Sequence, residues 1–388
     1  MTVARAGGGA QQGGGWRQPL LVGVSSFVAF RLVMEVIGLV AEYRGGLASH
    51  LGSSMAIWDH WDVGWFSNLS RFGYPAFSHV QDVPGQYHDG TAFPPAVPLL
   101  MHAGAVVGLS PNAAGILWSC LFLAVALVLL YRMTLQDFGP DVARWTLGFL
   151  LVYPFALFLG VAYAEALVLL CTVGGYAAAR RGWWWLAGVA VGVALLAKIV
   201  LALLLLPLAL ECLGWDGRVG IVVTRRRLLQ LVALFVPALA ALGAWMLYLQ
   251  ASFGEPLRFL TAQKGWGRAV GLPTDQVLYI FRSGGNAGIR FINAVDLLAV
   301  LVLGVMAVYV YRWVRPSYGV LLGLFFVLFA FNTSLESNGR HLVVLFPLFI
   351  GLAMWTREKS WARVVLVLLQ LPLAVALVAR FATGHWAG

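Results

Sequence analysis

The chain has 388 residues, of which 61% are hydrophobic and only 11% are charged. A soluble domain has about 25% charged residues, so this composition excludes a soluble globular protein and predicts one whose solvent is the lipid bilayer. The formal net charge of +10 comes from residues between apolar runs, which indicates contact with anionic membrane lipids and argues against a nucleic-acid partner.

The chain begins with a glycine- and glutamine-rich stretch, and we predict that residues 1–19 form a disordered cytoplasmic tail. Residues 20–388 are predicted to form one all-α transmembrane domain, because a spanning helix needs about 20 apolar residues and such runs recur throughout. The first run lacks a convincing small-residue cleavage site and is predicted to be an uncleaved helix. The candidate spans are 20–40, 93–109, 113–131, 144–160, 162–179, 183–212, 228–250, 291–311, 317–332, 341–355 and 361–380.

Three basic clusters determine the predicted orientation. They are Arg225 to Arg227, Arg312 with Arg315, and Arg357 with Lys359 and Arg363. The positive-inside rule places all three in the cytoplasm. Counting spans then places loops 41–92 and 251–290, together with residues 334–340, on the outer face. The boundaries within 144–212 stay open, because the count puts Arg180 and Arg181 on the outer face against the rule.

The first long loop combines aromatic and acidic residues. If residues 58–72 are helical, the rings of Trp58, Trp61, Trp65 and Phe72 form one stripe. Asp59 and Asp62 are three residues apart and would share a face of that helix. The spacing by itself favours an interfacial anchor helix that carries two solvated acids.

Five segments between residues 58 and 347 resemble, in the same order, the PIG-V family, the second mannosyltransferases of GPI-anchor assembly. The first-loop segment is Trp61-Asp62-x-x-Trp65-Phe66-x-x-Leu69-Ser70-x-x-Gly73-Tyr74. The other four are Ala92 to Leu99, Tyr153 to Phe158 with Tyr163 to Leu167, Gly254 to Phe259 with Gln263, Lys264 and Trp266, and Ser337 to Arg340 with Phe346-Pro347. The sequence departs from the family pattern at His60, Ala166 and His341.

The resemblance implies a GT-C architecture with about 10–12 transmembrane helices and an active site at the outer membrane face. It also implies an inverting transfer of a sugar, usually mannose, from a polyprenyl-phosphate carrier to a lipid or glycan acceptor. One carboxylate must then take the proton of the acceptor hydroxyl. Asp62 occupies the family position for this base, and Asp59 is the alternative. No cofactor is expected, and no residue spacing indicates a metal site.

The departing lipid phosphate needs positive charge or N–H donors. The candidates are Arg340 and His341 on the short outer segment, and Lys264 and Arg268 on loop 251–290. An arginine at the outer membrane face is more often a snorkelling anchor than a binding residue. The candidate substrate contacts within the family-like segments are Glu165, Trp61, Trp65 and Tyr74.

Charged residues inside apolar runs are costly in a bilayer and usually face the bundle interior. Arg31 and Glu35 are four residues apart and are predicted to form an ion pair. Lys198 and Asp296 each stand alone in a run, and we interpret them as snorkelling or capping residues near helix ends.

A transporter or lipid flippase is the alternative function. Such a protein would show internal repeats and broken helices at matching positions of two halves, whereas the aromatic and acidic loop occurs once. The composition, rich in Ala, Gly, Val and Leu, hints at a bacterial plasma membrane, and the sequence does not identify the acceptor.

Overall fold

A computed structural model describes residues 15–44, 56–83, 86–215, 217, 220–267, 269–282 and 287–388. Most of the predicted tail, residues 1–14, lies outside this range, and the first helix begins at Arg17. The α-helices are α1 (Arg17–Arg44), α2 (Asp62–Phe72), α3 (Ala96–Val106), α4 (Pro111–Phe138), α5 (Pro140–Leu151), α6 (Glu165–Arg180), α7 (Trp184–Ala197), α8 (Leu205–Cys212), α9 (Arg225–Phe253), α10 (Arg258–Ala262), α11 (Pro273–Arg282), α12 (Ala287–Trp313), α13 (Pro316–Ala330), α14 (Asn338–Leu342), α15 (Phe346–Trp355) and α16 (Ser360–Ala382).

Short 3-10 helices and one hairpin complete the described structure. The 3-10 helices are Ala56–Trp58, Pro75–Phe77, Gly90–Ala92, Pro154–Leu159, Ile199–Leu204 and Gln263–Trp266. The hairpin pairs β1 (Val80–Val83) with β2 (Gln86–His88) in antiparallel register. Among the described residues the two strands lie in the first loop, with one isolated β-bridge between Val270 and Asn332, and the prediction of an all-α bundle is confirmed.

Five helices in the described residues are long and apolar enough to span a bilayer, namely α1, α4, α9, α12 and α16. They have 23 to 29 residues each, and their most apolar windows have mean hydropathies of 2.0 to 2.6. Only 11% of the α1 window and 17% of the α9 window are buried, whereas α6 and α15 are buried on nearly all sides. The helices at the periphery of the bundle therefore present apolar side chains to lipid, around a closely packed interior.

Ion pairs identify one end of the bundle, which we call the basic end. Arg180 contacts Asp137 and the Tyr318 hydroxyl, and Arg315 lies 3.8 Å from the same Asp137 carboxylate. Asp141 at the start of α5 pairs with Arg363, with the Nη2 to Oδ2 distance 2.5 Å. The predicted polar loops lie together at the opposite end, which we call the loop end.

The prediction of a span at 93–109 is wrong. Helix α3 has only 11 residues, packs against α2, and turns back at Gly108, whose φ is +84°. The Trp118 indole of α4 donates to the Leu100 carbonyl of α3 at 3.0 Å, so the two helices run antiparallel at the loop end. Helix α4, capped by Ser110, is therefore the second span and runs toward Asp137 at the basic end.

The apolar run 183–212, whose division into helices the sequence leaves open, forms a pair of passes. Helix α7 ends at Lys198, which has extended backbone angles (φ −153°, ψ 115°). The chain then returns through the 3-10 helix Ile199–Leu204 and α8 to Cys212, beside the Arg227 carbonyl. This added pass compensates for the lost span at 93–109. Arg180 consequently lies at the basic end, and the exception to the positive-inside rule disappears.

Candidate active site

Helix α2 begins at Asp62 and not at Trp58. Trp61 has φ +58°, a backbone conformation that a bulky residue rarely adopts, and it separates the 3-10 helix Ala56–Trp58 from α2. The predicted stripe is therefore wrong: Trp58 is buried against Phe381, and Asp59 is exposed and does not share a helix with Asp62. The break makes Asp62 the first residue of α2, where the helix dipole favours a carboxylate.

The Asp62 side chain points to the centre of the loop end. Its Oδ2 accepts a hydrogen bond from Arg340 Nη1 at 2.9 Å, and its backbone N–H donates to the Tyr163 hydroxyl at 3.3 Å. That hydroxyl donates to the His60 carbonyl at 3.3 Å. The Tyr163 hydroxyl therefore accepts one of these bonds and donates the other. The start of α2 is thus fixed on both sides of Asp62.

Arg340 lies at the centre of the charged cluster. Its side chain is 6% exposed, and its Nε lies 3.1 Å from Glu165 Oε1 while Nη1 bonds Asp62. The guanidinium also stands 5.2 Å from the ring centroids of Phe158 and Tyr163. Burial acts to lower the pKa of Arg340, but the Asp62 and Glu165 carboxylates outweigh it and raise this pKa above its usual value. Arg340 is therefore a permanent cation beside the candidate base.

Lys198 joins the cluster from the break between α7 and the following 3-10 helix. Its Nζ lies 2.7 Å from Glu165 Oε1 and 2.8 Å from His341 Nδ1. Glu165 is fully buried at the first position of α6, again at the favourable end of a helix dipole. The interpretation of Lys198 as a snorkelling residue was wrong. The signal that sequence reasoning missed is its position in the middle of a 30-residue apolar run, too long for one span of about 20 residues.

The segment that carries Arg340 is held from two sides at Gly339. Asp296 Oδ1 accepts the Gly339 N–H at 2.6 Å, and the Tyr153 hydroxyl donates to the Gly339 carbonyl at 2.9 Å. Asp296 is fully buried inside α12 and not near a helix end, so its interpretation as a residue near a helix end was wrong; its carboxylate instead holds the neighbouring segment. Ser337, buried with φ +68°, turns the chain into α14. The backbone of Arg340 is thus fixed by contacts from α12 and from the segment before α6.

Gly339→Ala is expected to reduce both stability and activity. A Cβ at this position would lie 2.3 Å from the Phe155 ring and 2.8 Å from Asp296 Oδ1, so the segment before Arg340 must move. Overpacking of this kind costs about 1–3 kcal/mol. Melting temperature and transfer rate measure the effect, and Gly323→Ala, where a Cβ meets nothing within 4 Å, is the matched control. A Gly339→Ala protein that melts and reacts like wild type would show that this close packing does not position Arg340.

The two long loops contact each other beside the charged cluster. Arg258 Nε lies 2.7 Å from Asp89 Oδ2. The Trp65 ring packs edge-on against Trp266 at 5.5 Å between centroids and stacks on Phe93 at 5.7 Å. Trp65, predicted as a substrate contact, therefore lies in an aromatic cluster one turn along α2 from Asp62.

The structure places the remaining predicted residues as follows. Trp61 is exposed and packs on Trp386 at 5.1 Å, whereas the buried Tyr74 donates to the Phe93 carbonyl at 2.8 Å, away from the cluster. Lys264 is exposed and does not reach the cluster, and Arg268 lies outside the described residues.

The predicted ion pair in α1 is confirmed. Arg31 and Glu35 are 2.8 Å apart, and the Trp58 indole donates to the same Glu35 carboxylate at 3.1 Å. This pair is therefore accounted for by packing between α1 and the chain before α2.

A cluster of alternating charge, in which Arg340 and Glu165 are buried and the other members are partly exposed, is formed by Asp62, Arg340, Glu165, Lys198 and His341. One carboxylate, Asp62, is 15% exposed, whereas Glu165 is enclosed between the two cations. Such an arrangement can accept a proton at Asp62 and hold an anion at Arg340 and Lys198. Within the described residues, no group of three His, Cys, Asp or Glu side chains is arranged to hold a metal ion.

The fold is similar to that of ArnT from Cupriavidus metallidurans. The crystal structure of ArnT bound to undecaprenyl phosphate gives a TM-score of 0.50 at 16% identity, over 92% of this chain and 74% of ArnT. ArnT in the apo state gives 0.47 at 17% identity, over 83% and 72%. The apo oligosaccharyltransferase of Archaeoglobus fulgidus gives 0.45 at 12% identity, over 93% of this chain and 56% of that protein. The sequence matches no family model and no curated protein.

Proposed function

We propose that this chain, an integral membrane protein with the GT-C fold of ArnT, is an inverting glycosyltransferase. Its donor is a polyprenyl phosphate that carries mannose. Its acceptor is a lipid or glycan at the outer membrane face. The observation that carries the proposal is the ion pair of Asp62 with the buried Arg340, which puts a base next to an anion-binding group.

The proposed reaction needs one base and one anion site. The acceptor hydroxyl oxygen bonds to the anomeric carbon, the bond from that carbon to the phosphate oxygen breaks, and Asp62 takes the hydroxyl proton. Since Arg340 occupies only Oδ2 of Asp62 and the side chain is partly exposed, the carboxylate has a free edge for the acceptor. No second acid is needed, because the phosphate leaves as an anion.

Arg340 and Lys198 are placed to stabilise the negative charge that develops on the leaving phosphate. The donor phosphodiester carries one negative charge, whereas the departing phosphate monoester carries up to two. Arg340 and Lys198, held by Glu165 at 3.1 Å and 2.7 Å, are positioned before the reaction begins. Preorganised charge of this kind stabilises the transition state more than the ground state. His341, bonded to Lys198, lies at the edge of the same site.

The positive-inside rule supports the orientation. Arg180, Arg315 and Arg363 share the basic end, and this end lies in the cytoplasm under the rule. The charged cluster and both long loops then face outward. A bacterial plasma membrane agrees with the composition, and mannose as the sugar rests on the resemblance of the first-loop segment around Asp62.

A donor panel tests the proposal with the purified protein in lipid vesicles. Polyprenyl-phosphate-mannose, polyprenyl-phosphate-glucose and polyprenyl-phosphate-galactose are each supplied with extracted membrane lipids, and the release of polyprenyl phosphate is measured. We expect the mannose donor to be consumed at least tenfold faster, a difference of 1.4 kcal/mol in barrier. Preference for another of the three sugars would refute mannose as the donor sugar but leave the proposed reaction class in place. Failure with all three would overturn the class and favour a transporter.

A further inference from the structure

An open cavity of about 480 Å³ lies at the basic end, far along the helices from the charged cluster. It is formed by the turn between α6 and α7, the end of α8 and the first turn of α9. Its polar lining includes Arg180, Thr224, Arg226, Arg227 and Gln230. The proposed transfer reaction makes no use of this cavity.

The cavity has an excess of positive charge. Arg225, Arg226 and Arg227 form the first turn of α9, which contains no acidic residue, although the positive pole of a helix disfavours cations. Among the described residues at this end, Asp137 pairs with Arg180 and Glu211 lies 3.7 Å from Arg315, so these two carboxylates are not available to the first turn of α9. An anion in the cavity would relieve this repulsion.

Two of the arginines form a fixed wall. Arg227 Nη1 donates to the Leu213 carbonyl at 2.6 Å and to the Val222 carbonyl at 3.0 Å, so its charge is held in place. Arg180 is 17% exposed, and within the described part of the chain its Nε is a buried donor with no acceptor. Arg226, by contrast, is exposed at the rim and is free to close over a bound group.

The surroundings suit a lipid headgroup better than a dissolved ion. Trp184 lines the cavity, and its neighbours Trp183 and Trp185 are 53% and 60% exposed. Tryptophan rings prefer the headgroup level of a membrane. The exposed apolar face of α9 continues from the cavity along Leu229, Val232 and Val236, which gives acyl chains a surface to follow.

We infer that this cavity binds the phosphate of an anionic phospholipid, with Arg180, Arg226 and Arg227 as the binding residues. Basic cavities between transmembrane helices recognise such headgroups. The bound lipid neutralises the first turn of α9 and joins α9 to the turn between α6 and α7.

Native mass spectrometry and thermal unfolding of the purified full chain in detergent test the inference. The probes are phosphatidylglycerol, phosphatidylcholine and inorganic phosphate. We expect phosphatidylglycerol alone to be retained and to raise the melting temperature. Arg226→Gln is expected to weaken its binding about fivefold, since one arginine near an anionic surface contributes about 1 kcal/mol. Arg225→Gln, the matched control, removes the same charge from a neighbouring residue outside the cavity and is expected to bind as wild type does.

Three results would overturn the inference. Equal weakening by Arg225→Gln and Arg226→Gln would show diffuse electrostatic attraction and no bound headgroup. An equal effect of inorganic phosphate would assign the cavity to a free anion. Equal retention of phosphatidylcholine would show that lipid binding does not depend on the charge of the headgroup.

Discussion

Asp62→Asn is expected to lower kcat for sugar transfer by about 10²–10⁴-fold, the usual contribution of a positioned base. The amide keeps the size of the side chain and can still accept a hydrogen bond from Arg340, but it cannot take the proton of the acceptor hydroxyl. Donor binding is expected to change much less than kcat, because Arg340 and Lys198 remain in place. Steady-state transfer rates over a range of donor concentrations measure the two effects separately.

Asp59→Asn is the matched control for this prediction. Asp59 is three residues away and exposed, and the backbone break at Trp61 separates it from α2. We expect Asp59→Asn to react within about threefold of wild type, since a surface change costs at most about 0.5 kcal/mol. A severe loss in Asp59→Asn together with an active Asp62→Asn would contradict the assignment and make Asp59 the base.

Arg340→Lys is expected to lower kcat/KM for the donor by about 10²–10³-fold, the effect of removing one preorganised donor. The substitution keeps the positive charge, so Asp62 and Glu165 are not left as unpaired buried carboxylates, a loss that would cost about 3–5 kcal/mol. A compact ammonium lacks the planar fork with which Arg340 reaches both carboxylates and a phosphate. Folding is therefore expected to survive while catalysis is lost.

A comparison of Lys198→Gln with Lys264→Gln distinguishes the effect of a positive charge in the cluster from the effect of a positive charge elsewhere on the loops. Lys198 bonds Glu165 at 2.7 Å, and we expect its loss to lower kcat/KM for the donor. Lys264 is exposed on the 3-10 helix Gln263–Trp266, and its loss is expected to leave kcat/KM unchanged. Equal effects of the two lysine changes, or a fully active Arg340→Lys, would refute the anion site at Arg340.

The sequence allowed prediction of the long spans and of several residues in the cluster. Composition alone identifies a bilayer protein, and α1, α9, α12 and α16 are single apolar runs that end near basic residues, so their positions follow from length and charge. Asp62 and Arg340 were singled out separately, through a family resemblance and the chemistry of a leaving phosphate. Their contact across 278 residues is a property of the fold, since no local pattern links them.

The errors have physical reasons. Residues 93–109 are apolar enough for a span, but Gly108 turns the chain after 11 helical residues and α3 packs at the loop end. In the run 183–212 the helix ends at Lys198, where the backbone is extended. The Lys198 side chain there reaches Glu165 and His341, and these contacts offset the cost of burying its charge. Hydropathy does not record such tertiary contacts.

The start of α2 was mispredicted for a similar reason. Aromatic spacing favoured one helix from Trp58, but Trp58 packs into the bundle with Phe381 and Glu35. The chain then needs the positive φ at Trp61 to direct Asp62 toward Arg340. Tertiary packing thus overrides the local helical pattern at the residue that the proposed reaction depends on.

The most direct test of the central claim is transfer of labelled mannose from polyprenyl-phosphate-mannose to endogenous lipid acceptors in membranes. Membranes with the wild-type chain are compared with membranes that contain equal amounts of Asp62→Asn or Asp59→Asn. The account predicts that label moves to acceptors with the wild-type and Asp59→Asn chains and stays on the donor with Asp62→Asn. Label that stays on the donor in wild-type membranes containing folded protein, or that moves equally with Asp62→Asn, would contradict it.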